Sequence, residues 1–343
     1  MVKKIIVLLT LGIMLVATAG LLQRGPNRTT ARLLGPQIDG KIAFVNKGSI
    51  WLYSGDRATQ LTAGPEDALD KRDAQPSFSP DGTQLVYVRF DEGFSDLYKL
   101  DIDNPTDPTP LTDHRPNVEV GQAGGPGIDG YNELALWALY PAWSPDGEQI
   151  AYTSDIGTQY PGLFSMDTFG DDITRLGSLD YSIQTVERPS WSPTGTRLAL
   201  TNYVTNNSKG QIWVRDLARG VWIEITNAPD GAYDAAWSPD GEWIAFTMRQ
   251  GSAHNIFVVP SNAELWTGDH PTPIQITTDG ASRSPAWSPD GTRLAYLSMR
   301  NAIFDIYEGE LTTKTNGDPA LASVQRLTQN ADIDANSGLS WGQ

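Results

Sequence analysis

The stretch PAWSPDGEQIAY at residues 141–152 returns as PAWSPDGTRLAY at residues 285–296. The chain also carries PSFSPDGTQLVY (76–87), PSWSPTGTRLAL (189–200) and AAWSPDGEWIAF (235–246). Aligned on the aromatic residue, the anchors are Phe78, Trp143, Trp191, Trp237 and Trp287, separated by 65, 48, 46 and 50 residues. A repeat of this length is the mark of a solenoid or a propeller.

Each residue of the motif has a mechanical task. In Ser-Pro-Asp-Gly the proline presets φ for the first central turn position and aspartate suits the next. Glycine supplies the left-handed residue that lets a hairpin close with a bulge. The alternating residues on either side read as its two strands. A short aromatic strand follows each hairpin: DLYKLD (96–101), GLFSMD (162–167), QIWVRD (211–216), NIFVVP (255–260) and DIYEGE (305–310). A fourth strand ends in a Leu-Thr-like pair: PLT (110–112), ITRL (173–176), IEIT (223–226), IQIT (274–277) and QRLT (325–328). Four strands per repeat make one propeller blade. The tryptophan is expected in the seam between blades, where burying roughly 150–250 Å² at about 25 cal/mol/Å² contributes at most about 4–6 kcal/mol. A lone blade leaves that face wet, so blades need neighbours.

The count closes at six. Residues 39–62 supply three strands (DGKIAFV, SIWLY, TQLT) and lack the tryptophan strand, whereas SGLSWGQ at 337–343 has only that strand. Trp341 lies 54 residues after Trp287, in register. The two fragments are expected to pair as one blade, which removes the open sheet edge at the seam. Composition agrees with an all-β class: 11 Trp, 33 Gly and 23 Pro favour short strands and tight turns.

The repeats resemble the six-bladed propeller of the TolB family, with its WSPDG (PD40, WD40-like) repeat, over residues 38–343. TolB carries an α/β domain ahead of its propeller that docks other envelope proteins. Here only a short stretch precedes the first strand, so the resemblance implies the propeller without that domain and without its named partners. Similar propellers also gate prolyl-oligopeptidase-type peptidases, in which a separate domain holds the catalysis.

At the N-terminus Lys3 and Lys4 precede an apolar run from Ile5 to Leu22. This pattern marks an export signal, and the small residues at 17–19 suit cleavage before Gly20. Uncleaved, the run is just long enough to span a bilayer. Residues 1–22 are therefore read as a signal peptide or membrane anchor, 23–37 as a linker and 38–343 as the propeller, exported to the periplasm or the cell exterior.

With a net charge of −16 and no basic stripe, the chain is not expected to bind nucleic acid. An acidic surface favours solubility and basic partners. The absence of cysteine removes disulfides, thiol catalysis and thiolate metal sites. GLSWG at 338–342 matches G-x-S-x-G, but that motif needs a strand before it, a helix after it and a later histidine. His114, His254 and His270 all lie upstream, so Ser340 is read as a strand residue. DIDNPTD (101–107) has calcium-like oxygen spacing without the rest of an EF-hand loop, and is read as a solvated turn. GQAGGPG (121–127) lacks the GK[ST] of a phosphate loop and is read as a flexible loop. NELALWAL (132–139) suits a short helix capped by Asn132, within an insertion over 113–139. No catalytic residue, metal or cofactor is expected.

The function expected is a non-enzymatic exported propeller that binds a protein or peptide through its loop-rich face. The alternatives are a hydrolase or lyase with a site at the channel mouth, and a structural or sensory ectodomain. Residues just before the tryptophan strands are expected to ring the mouth: Gln75, Tyr140, Arg188, Asp234 and Arg283. Mixed charge with an aromatic ring suits a polar or peptide ligand held on a rigid scaffold.

Overall fold

The computed structural model describes residues 30–31, 36–64, 71–114, 137–156, 161–177, 183–204, 209–262 and 270–343. The proposed leader, the glycine-rich loop at 121–127 and residues 132–136 of the proposed helix lie outside them. Ala138 and Leu139, the end of that stretch, are strand. All regular elements among the described residues are β-strands.

Six antiparallel sheets, each of at least four strands, form a ring in which each inner strand packs against the inner strands of the two neighbouring blades. Blade 2 runs Arg72–Phe78, Gln84–Asp91, Phe94–Asp101 and Thr109–Pro110 from the axis outward. Blades 3 to 6 repeat this order, with inner strands Ala138–Trp143, Ile183–Trp191, Ala232–Trp237 and Ser282–Trp287. In blade 1 the inner strand is Ser340–Gly342, paired with Ile38–Asn46 through Ile42 opposite Trp341. The six-blade count and the closure by the C-terminal strand hold. Within the stretch read as a linker, Thr30 and Ala31 pair with Thr59 and Ala58, adding a fifth strand to this blade's outer edge.

The turn chemistry recurs as the motif requires. In blade 2, Ser79 Oγ donates to Asp81 Oδ1 (2.6 Å), and Asp81 Oδ1 accepts the Thr83 N–H (3.0 Å). Gly82 closes the hairpin at φ 68°. The same bonds hold at Ser144–Asp146, Ser238–Asp240 and Ser288–Asp290.

Each seam holds its own apolar cluster. Phe78 packs between blades 1 and 2, Trp143 between 2 and 3, and Trp191 between 3 and 4. Trp237, Trp287 and Trp341 fill the remaining three. The indoles of Trp191 and Trp287 also donate across the seam, to Ala142 O (3.1 Å) and Ala236 O (3.0 Å). The anchor thus buries apolar area and ties one blade to the next.

Candidate functional site at the mouth of the central channel

Each of the five inner strands of blades 2 to 6 slips register at a bulge three residues before its aromatic anchor, and the blade 4 strand slips once more near its start, between Ile183 and Thr185. The residue there has a positive φ: Gln75 53°, Tyr140 52°, Arg188 52°, Asp234 59° and Ser284 54°. Four of these precede a proline, which lacks the N–H needed to continue the ladder and disfavours helical φ/ψ before it. In blade 1 the equivalent position is Gly338, at φ 73°. A non-glycine residue held in this region costs on the order of 1–3 kcal/mol, and such strain clusters where a side chain must be aimed. Here the five side chains are aimed at the propeller axis, where they line a cavity of about 550 Å³.

Gln75, Tyr140, Arg188 and Asp234 therefore come together, whereas Arg283 does not join them. Its guanidinium lies over the Phe304 ring, 5.7 Å from the centroid. Counting back three residues from Trp287 gives Ser284, and Ser284 takes the equivalent place.

Side chains of the preceding blade hold these bulges. Gln75 Oε1 accepts the Tyr140 N–H (2.7 Å), Thr201 Oγ1 that of Asp234 (3.2 Å) and Thr247 Oγ1 that of Ser284 (3.0 Å). Asp234 is the hub. Its Oδ1 meets Arg188 Nε at 3.0 Å, and its Oδ2 accepts Thr247 Oγ1 (3.0 Å) and Ser284 Oγ (3.2 Å). The Arg188 Nη2 group donates to Asn336 O, in the segment leading to the closing strand. The Arg188 guanidinium also lies 5.4 Å from the centre of the Tyr140 ring. Blades 1 and 4 are opposite in the ring, so this side chain spans the channel mouth.

Charge around the mouth is mixed. Burial would lower the Arg188 pKa, but Asp234, Tyr140, Glu187 and Asp334 outweigh it and raise it. Burial, reinforced by Glu187, pushes the Tyr140 phenol up to about 12. Burial also raises the Glu187 carboxyl, which accepts from Tyr203 Oη at 3.3 Å.

The other candidates have structural partners. Ser340 Oγ accepts the Phe78 N–H (3.1 Å), as Ser190 Oγ accepts that of Trp237 (2.9 Å), so Ser340 is a link between blades. In the DIDNPTD turn, Asp101 Oδ1 caps the N–H groups of Asp103 (2.9 Å) and Asn104 (3.1 Å). The three histidines stand apart. His114 is paired with Asp96 (2.9 Å), His270 is 3.8 Å from Glu224, and burial together with Arg283 lowers the His254 pKa. Among the described residues no group of three or more His, Asp or Glu side chains could hold a metal ion.

Comparison with known proteins agrees with this architecture. The family profile described as the TolB beta propeller domain (PD40) matches residues 178–335. Over 208 residues the chain is 25% identical to an uncharacterized peptidase, YuxL, of Bacillus subtilis, a match covering 51% of this chain and 29% of that protein. It is 26% identical over 202 residues to the Tol-Pal system protein TolB of Francisella tularensis, covering 55% of this chain and 44% of TolB. The chain thus spans less than half the length of these curated relatives. The crystal structure of TolB from Acinetobacter baumannii superposes with a TM-score of 0.60 at 17% identity, covering 88% of this chain and 66% of the other.

Proposed function

Because this chain is a TolB-like six-bladed β-propeller, we propose that it is an exported, non-enzymatic binding module that takes a protein or peptide partner at the mouth of its central channel. The observation that carries this reading is the ring of strained bulges, which aims Gln75, Tyr140, Arg188, Asp234 and Ser284 at one cavity of about 550 Å³. Backbone strain repeated in five of the six blades costs stability, and a cavity lined by a few convergent polar groups is the default binding site. Export is supported by the Lys3–Lys4 and apolar-run pattern and by the likeness to a Tol-Pal system protein.

The likeness to a peptidase favours a second reading, in which the propeller serves a hydrolase. The two are separated by installing a photo-crosslinking residue at Gln75 and, in a second protein, at Glu148 on the opposite, turn-bearing face. A binding module yields a polypeptide adduct from Gln75 and not from Glu148, and Asp234→Ala diminishes that adduct while the melting transition persists. Adducts from Glu148 alone, or cleavage of a peptide library by the purified chain, would overturn the proposal.

A further inference from the structure

Arg188 reaches across the channel from blade 4 to the segment before the closing strand of blade 1. What receives it is a complete set of groups for a cation: the Asp234 carboxylate (3.0 Å), the Asn336 carbonyl and the face of the Tyr140 ring (5.4 Å). Carboxylate, carbonyl and aromatic face are the three kinds of group that hold a guanidinium or ammonium out of bulk water. The pocket is tailored to its occupant: a β-carbon added at Gly338 would fall 2.3 Å from Arg188 Nη1. Every other equivalent position in the ring carries a side chain, so glycine at this one leaves space for the arginine head. The residue's reach is also paired with backbone strain at its own φ of 52°.

We propose that the channel mouth is a receptor for a basic side chain, arginine or lysine, of a polypeptide partner, and that Arg188 is its built-in occupant, which the partner's cation displaces. The inference rests on the reading of the mouth as the binding site. The surroundings favour a cation over an anion. Asp234 lies in the mouth, Glu187 and Asp334 are near enough to act on the guanidinium, and the whole chain carries −16. A partner's carboxylate would enter against these charges, whereas a partner's guanidinium takes over acceptors already aligned. Released, Arg188 swings toward solvent and the bar across the channel opens. Occupation from within lowers apparent affinity by the fraction of time that the receptor is free, so the site discriminates against weak cations until Arg188 yields.

The test uses Nα-acetyl-argininamide as the cation and Nα-acetyl-glutaminamide as the neutral control, with binding followed by calorimetry or by NMR at low salt. Arg188→Gln is expected to bind the arginine probe about tenfold or more tighter than the unaltered protein. Gly338→Ala, which expels the arginine head by steric contact and leaves the acceptors in place, is expected to shift affinity in the same direction. The double variant Arg188→Gln/Asp234→Asn is expected to lose the gain, and the glutamine probe to show none. A gain absent from both single variants, a gain that survives Asp234→Asn, or equal gains for the two probes would each overturn the proposal. Should Arg188→Gln fail to fold, Gly338→Ala decides alone. This outcome is independent of the photo-crosslinking experiment: a cation gain without a polypeptide adduct at Gln75 would remove the partner and leave the receptor, and an adduct without the gain would do the reverse.

Discussion

Serine does two different tasks in this repeat, and both are hydrogen-bond tasks. In the turns, the hydroxyls of Ser79, Ser144 and Ser288 donate to Asp81, Asp146 and Asp290 and hold those carboxyls below the usual aspartate range. A folded-state pKa below the unfolded value of about 3.9 gives stability that is complete above that value and lost as pH falls through the folded one. Asp290→Asn is therefore expected to flatten the acid side of the melting-temperature profile, measured by circular dichroism between about pH 5 and pH 2. The effect is small, since these side chains are largely exposed. Before the anchor, Ser340 instead accepts the Phe78 N–H of the next blade. Ser340→Ala should lower stability by about 1 kcal/mol in denaturant unfolding. A fluorophosphonate probe should leave Ser340 unlabelled, because no histidine partners it; mass spectrometry of the treated protein reads this directly.

Within a blade, the third and fourth strands are joined by a clasp that the Leu-Thr pair only half announces. The hydroxyls of Thr112, Thr226, Thr277 and Thr328 accept the N–H groups of Leu97, Ile212, Ile256 and Ile306 at 2.8–3.0 Å. Each hydroxyl faces a polar residue near the start of the third strand: Asp96, Gln211, Asn255 or Asp305. In blade 3 both partners are glycine, Gly162 and Gly177, and a β-carbon at Gly177 would meet the Trp222 ring at 3.1 Å. Blade 3 gives up its clasp at the point where a tryptophan from blade 4 packs. Leu163, with no threonine hydroxyl to accept its N–H, is expected to exchange that hydrogen faster than Ile212, Ile256 or Ile306. Residue-resolved hydrogen exchange checks this, and equal protection at all four would show the clasp to be dispensable. Thr328→Val leaves Asp305, 1% exposed, short of a donor and should cost about 1–3 kcal/mol in thermal unfolding.

The ring as a whole depends on three residues of strand. Ser340–Gly342 completes blade 1 and carries Trp341 into the seam between blades 6 and 1. Trp341 also donates to Asp39 O (3.1 Å), so its loss removes both packing and a tie to the first strand. Trp341→Ala is expected to cost roughly 3–5 kcal/mol. Deleting residues 337–343 should cost more, because it also exposes the edge of Ile38–Asn46 that pairs with the closing strand. Calorimetry of the shortened protein should show a broad transition at lower temperature, and an unchanged one would sink the closure.

The sequence by itself determined the blade count, the strand order within a blade, the turns and the closure. Those follow from interactions within about fifty residues of each other, or from a missing strand that reappears in register at the far end. Four mouth residues were legible in the same way, since Gln75, Tyr140, Arg188 and Asp234 all stand three residues before an anchor. Arg283 was one position early, and a strict count from Trp287 would have found Ser284. Tertiary structure alone decided what those residues do. Whether Arg188 lies beside Asp234, which blade it faces across the axis, and why position 338 is glycine all depend on closing six blades into a circle. Residues 188 and 338 are far apart in the chain and become neighbours only because the ring brings opposite blades within one side chain's reach.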